Sequence, residues 1–119
     1  MKDFRHLEVW TKGRQTVSEV YKMTCSFPKE EMFGLTSQIR RAAVSIPSNI
    51  AEGCGRGSDA ELARFLQIAM GSSSELEYQI LLAKDLGYLN DESYNNLSDK
   101  TIEVKKMLTS LIKKLNAES

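Results

Sequence analysis

A helical period of three and four residues runs through Pro47 without losing phase, and this constrains the fold more than any other feature of the chain. Between Gln38 and Ser58 the sequence reads QIRRAAVSIPSNIAEGCGRGS. Ile39, Ala42/Ala43, Ile46 and Ile50 share one helical face on both sides of the proline. A proline inside a helix removes the bond to the carbonyl four residues back, here Ala43, and costs on the order of 3 kcal/mol. The helix therefore either stops near Ser45 or continues with a kink. The unbroken spacing favours one kinked helix.

Three more stretches carry the same period. Trp10, Gly13, Val17, Val20 and Thr24 mark a first helix over about 7–25. Gly13 costs about 1 kcal/mol against alanine, which points to a close helix contact there. Pro28, with Glu30 and Glu31 behind it, suits the first turn of a second helix over about 29–54, whose core face begins at Met32 and Leu35. Gly53, Gly55 and Gly57 end that helix. They lack the spacing of a nucleotide loop and read better as a C-terminal cap, followed by the capping box Ser58-Asp59-Ala60-Glu61. Leu62, Leu66, Ala69, Ser73, Leu76, Ile80 and Ala83 carry a third helix over about 59–86, passing straight through Gly71-Ser72-Ser73-Ser74. Tyr94, Leu97, Thr101, Val104, Leu108, Leu111 and Leu115 form the seam of a fourth, over about 91–116. Four such helices on short turns predict an all-α, antiparallel up-down-up-down four-helix bundle, one domain over 1–119.

The second helix has more than one contact face. Phe33, Val44, Pro47 and Ala51 gather on one flank of its core stripe. Gly34, Gln38, Ser45, Asn49 and Glu52 gather on the other, small or hydrogen-bonding and nearly free of long charged chains. Gln38, Ser45, Pro47, Asn49, Glu52 and Gly53, with Glu75 from the third helix, are therefore expected to pack between helices or subunits. Glu52 and Glu75 are expected to be half-buried, and buried carboxylates require partners. Arg40, Arg41, Arg56 and Arg64 are the available cations. They form either a structural ion-pair network or a clamp for a ligand.

Charge leaves little room for a bulk nucleic-acid or membrane field: sixteen basic and sixteen acidic side chains cancel. The N-terminal MKDFRHLEVW has charges where a secretory signal needs an apolar run, and no segment approaches membrane-spanning length, so a cytoplasmic location is expected. Cys25 and Cys54 form no CxxC pair. At the ends of successive antiparallel helices they would lie roughly 40 Å apart, too far for a disulfide, and both are expected to be buried or half-buried thiols. The one histidine, His6, has no serine or cysteine near it in sequence. No ExxH occurs, and Glu75 and Glu77 point to different helical faces. No enzyme, cofactor or metal is expected.

The residues do match a family pattern. Gln38-Ile39-Arg40-Arg41-Ala42-Ala43, Ser45-Ile46, Asn49-Ile50-Ala51-Glu52-Gly53 and Gly55-Arg56 resemble the bacterial 23S rRNA-intervening-sequence proteins, also called four-helix bundle proteins. The resemblance extends from Leu7 and Val9-Trp10 through Phe27-Pro28, Glu31, Phe65-Leu66, Ala69, Gly71-Ser72 and Glu75-Leu76-Glu77 to Leu86-Gly87-Tyr88-Leu89. Gly13 departs from it, since such proteins often carry alanine there. The resemblance implies a four-helix bundle in a ring-like homopentamer. It also implies kinship with the accessory protein of diversity-generating retroelements, which works with a reverse transcriptase and nucleic acid.

Two functions follow as expectations. One is a nucleic-acid-associated accessory module, with RNA or a nucleic-acid-processing protein as partner. Its contacts would run through Arg40, Arg41, Arg56 and Arg64, with Lys105, Lys106, Lys113 and Lys114 as a diffuse second patch. The other is a purely structural oligomer or protein-partner scaffold.

Overall fold

The computed structural model describes residues 2–118, the last of them in backbone only. Four helices carry the fold: α1 Glu8–Thr24, α2 Leu35–Cys54, α3 Asp59–Asp85 and α4 Asp91–Glu118, with short 3-10 turns at Phe4–His6 and Lys29–Glu31. The described residues include no strand. Each helix packs on two others, α1 on α2 and α4, and α3 on α2 and α4, which closes the four into a bundle of 46 × 23 × 20 Å.

The core follows the predicted stripes, with local shifts. On α3, Leu62, Leu66, Ala69, Ser73, Leu76, Ile80 and Ala83 are all buried, and Phe65 and Gln79 join them. On α1 the buried line is Val9, Gly13, Thr16, Val20 and Thr24. Trp10 and Val17 are only half-buried, because that side of α1 meets Phe4 and the flank of α2 at the molecular edge. Near the end of α4, Ile112 takes the fully packed position and Leu111 is half-buried. A helix of 3.6 residues per turn drifts off a strict seven-residue seam, so the core line steps forward by one residue there.

The second segment is not one helix from residue 29. Lys29–Glu31 forms a 3-10 turn, and α2 begins only at Leu35. Gly34 separates them with φ −112° and ψ −115°, far from helical values. Glu31 reaches over this break, and its Oε1 accepts from the Leu35 N–H at 3.1 Å, capping an amide that has no helical partner. A Cβ on Gly34 would stand 2.8 Å from that same Oε1, so the glycine leaves space for the cap. One consequence is that Met32, expected in the core, lies outside the helix and is exposed.

From Leu35 the helix continues through Pro47 to Cys54 as one element. The proline ring lies against Gly13 of α1: a Cβ there would meet Pro47 Cδ at 3.6 Å and Ile46 Cγ2 at 3.3 Å. The missing side chain at Gly13 thus lets α1 approach α2 beside the proline. Gly53 does the same for α3, where an added Cβ would come within 2.8 Å of Phe65 Cβ. The turn that follows uses Gly57 at φ +89°, and Ser58 Oγ accepts from the Glu61 N–H at 3.2 Å to start α3.

Cys54 is buried, and loss of solvation raises its thiol pKa above the ordinary value. Cys25 lies just past the end of α1 and is exposed, against the expectation of a buried or half-buried thiol. Both are free. Among the described residues no helix is long and apolar enough to cross a membrane.

Candidate nucleic-acid interface

The four arginines fall into two groups at different heights of the bundle. Arg40 and Arg41 sit in the first half of α2, while Arg56 and Arg64 flank the turn into α3. The groups are separated by about 20 Å at ~1.5 Å rise per residue.

Arg40 is half-buried and already engaged. Its Nε donates to Thr24 Oγ1 at 2.8 Å, and its guanidinium lies 4.5 Å from the centre of the Tyr21 ring. Thr24 in turn donates to the Val20 carbonyl at 2.8 Å, so this arginine ties the last turn of α1 to α2. Arg41 is exposed, and among the described residues it has no charged or aromatic partner. Both line a surface cavity of about 550 Å³ whose other walls include Tyr21, Met32, Phe33 and Val44.

Arg56 and Arg64 converge on one aromatic ring. Their guanidinium carbons lie 4.9 and 4.6 Å from the centre of Phe65, itself almost fully buried. Each also faces an acid three or four residues before it in the chain. Arg56 Nε stands 3.7 Å from Glu52 Oε2, and Arg64 Nε donates to Glu61 Oε2 at 2.9 Å. That hydrogen bond holds the Glu61 carboxyl below its ordinary pKa and the Arg64 guanidinium above its own. All four charged groups remain largely in solvent, so the ion pairs contribute little to stability. Both cations thus stack on the same ring, and about half of each side chain remains exposed. Sequence reasoning missed Phe65 as their platform; its position directly after Arg64 was the available signal.

The polar flank of α2 divides. Ser45 Oγ lies 2.8 Å from Ser72 Oγ of α3, and Asn49 Nδ2 donates to the Ser45 carbonyl and hydroxyl at 2.8 and 2.9 Å. The serine pair joins α2 to α3, and Asn49 braces Ser45 from within α2. Gln38, Glu52 and Glu75 instead point to solvent, so the half-buried carboxylates expected at Glu52 and Glu75 are exposed in the single chain. The flank spans a wide arc of helix, and α3 covers only its middle. On α4, Lys105 donates to Glu77 Oε1 at 2.8 Å, while Lys106, Lys113 and Lys114 are exposed.

The profile of the 23S rRNA-intervening sequence protein family matches residues 5–110, which takes in both arginine groups, the first three helices and α4 as far as Ser110. The chain belongs to that family. It is also similar to the crystal structure of a protein of unknown function from the S23 ribosomal protein family of Bacteroides thetaiotaomicron, with 27% identity and a TM-score of 0.81 over 88% of this chain and 95% of that one. No curated protein matches the chain. In this family member, then, the signature from Gln38 to Arg56 is mostly helix α2 and its exit turn, and the arginines it contains are split between a groove and a turn.

Proposed function

We propose that this chain is a non-enzymatic, RNA-associated accessory module of the bacterial cytoplasm, built as an up-down-up-down bundle and assembled into a ring-like homo-oligomer, a pentamer by family resemblance. The observation that carries the reading is the pair of partly exposed guanidiniums gathered on Phe65. It gains weight from the family to which the chain belongs, described as 23S rRNA-intervening sequence proteins. Two contacts at different heights support an antiparallel course for each successive pair: Gly13 by Pro47 and Thr24 by Arg40, Ser45 by Ser72 and Gly53 by Phe65, Glu77 by Lys105 and Lys84 by Asp91.

A neutral chain binds RNA through local clusters, and several copies in one assembly multiply each cluster. Contacts from Arg41, Arg56 and Arg64 would go to phosphate, which makes affinity salt-dependent and weakly sequence-specific. Filter binding of the full chain to a structured RNA across a salt series tests this. Retention at low salt that falls steadily with added salt is expected. Absence of retention at low salt would overturn it.

A second reading, a structural oligomer or protein-partner scaffold, is favoured by one observation. Phe33 is 94% exposed beside Met32 and Val44 at the edge of a groove, and contiguous apolar surface of this kind marks interaction sites.

A further inference from the structure

The groove beside Phe33 is not accounted for by the arginine contacts described above. Met32 is 56% exposed, and Tyr21 and Val44 are exposed too, all lining the same cavity as Arg40 and Arg41. Their uncovered side chains present on the order of 400 Å², a size at which apolar patches mark interaction sites. The groove is apolar with a positive edge, and no carboxylate lines it. Phosphate would satisfy the two guanidiniums and leave Met32, Phe33 and Val44 in water. A fitting occupant is apolar and acidic together.

The outer face of α3 has that composition. Ile68, Tyr78 and Leu81 are exposed large apolar residues, with Tyr78 at 62%, and Glu75 and Asp85 lie on the same helical face. Neither acid has an ion-pair partner among the described residues. At ~100° per residue, these five positions fall within less than half of the helix circumference.

We propose that the Phe33 groove of one copy of this chain receives the Tyr78 face of α3 from a second copy. The two patches are different, so the contact is head-to-tail, and each copy offers one free groove and one free α3 face until a ring closes. The proposal rests on the reading above that the chain self-associates, and it names the two surfaces that do so. Apolar contact supplies the attraction. Arg41 facing Glu75 or Asp85 sets the orientation.

Light scattering on the full chain tests it with two variants, Phe33→Glu and Tyr78→Glu, each at an exposed site where the core is untouched. Wild type is expected to run as an oligomer, and each variant alone to fall to the 13.4 kDa of one chain with unchanged helical circular dichroism. An equimolar mixture of the two variants is expected to recover a species of twice that mass, because one retains an intact α3 face and the other an intact groove. A monomeric wild type would overturn both this proposal and the self-association reading. An oligomeric wild type whose mass neither variant changes would overturn the proposal alone. Loss of mass in Phe33→Glu but not in Tyr78→Glu would also overturn it, since the groove would then meet another surface. An unchanged mass with loss of RNA retention in Phe33→Glu would assign the groove to RNA instead.

Discussion

Tyr88 donates its phenolic hydrogen bond to Glu31 Oε2 at 2.9 Å, across 57 residues of sequence, while the other oxygen of the same carboxylate caps Leu35. One side chain thus joins the start of α2 to the turn between α3 and α4. Phe27 packs beside it, with its ring centre 5.3 Å from that of Tyr88.

Tyr88→Phe keeps the ring contact and removes only the hydrogen bond, so a small loss of stability is expected in urea unfolding at neutral pH. The bond to Glu31 raises the Tyr88 pKa above 10.0. A raised folded pKa means that this stabilisation is complete below about pH 10 and disappears as pH climbs through the folded value. The stability gap between wild type and Tyr88→Phe should therefore narrow above pH 10. A gap that stays constant up to pH 11 would contradict the assignment.

Gly53→Ala and Gly57→Ala should both destabilise the chain, for different reasons. At Gly53 the new methyl group meets Phe65 Cβ at 2.8 Å and Leu62 Cα at 3.3 Å, in a contact between α2 and α3 backbones that cannot yield cheaply. A cost of about 1–3 kcal/mol is expected. At Gly57 nothing lies within 4 Å, and the cost of about 1–2 kcal/mol comes from its φ of +89°. Thermal unfolding of the two variants measures both effects. Equal stability of Gly53→Ala and wild type would mean that the helices separate more easily than this packing allows.

Arg40 and Arg41 are neighbours in sequence with opposite expected phenotypes. Arg40→Ala breaks the bond to Thr24 and the stacking on Tyr21, and should lower stability by about 1–2 kcal/mol. Arg41→Ala touches neither and should leave unfolding within about 0.5 kcal/mol of wild type. If Arg41 contacts phosphate, its variant should reduce RNA retention and make the salt dependence shallower. Denaturation and filter binding on the same two preparations separate the roles.

The two thiols should report the fold directly. Cys25 is exposed, whereas Cys54 is 2% exposed with its thiol pKa raised by burial. A colourimetric thiol reagent at pH 8 should modify one group per chain rapidly in the native protein and two in denaturant. Rapid modification of both in native buffer would mean that the lead-in held by the Lys2 N–H to Cys54 carbonyl bond opens readily.

Much of the helical framework was legible because its causes are local. The phase of Ile39, Ala43, Ile46 and Ile50 across Pro47, the serine cap at Ser58 and the buried line of α3 each depend on residues a few positions apart. The start of α2 was not legible in the same way. Glu30 and Glu31 look like first-turn acids behind Pro28, but Gly34 breaks the backbone and Glu31 caps the helix from outside. Of the candidate site, Arg40 and Arg41 could be identified as cations, but not that one is bound to Thr24 while the other stands free of charged partners.

By itself, then, the sequence determined four amphipathic helices, where most of them end, and which faces they bury, because period, caps and glycines act within a turn or two. Only the tertiary structure decided what meets across those faces. It set Gly13 against Pro47, brought Tyr88 to Glu31, stacked Arg56 and Arg64 on one ring, and left Phe33 uncovered beside Arg41. Each of these depends on the distance between residues far apart in the chain, which helix packing sets and local spacing does not.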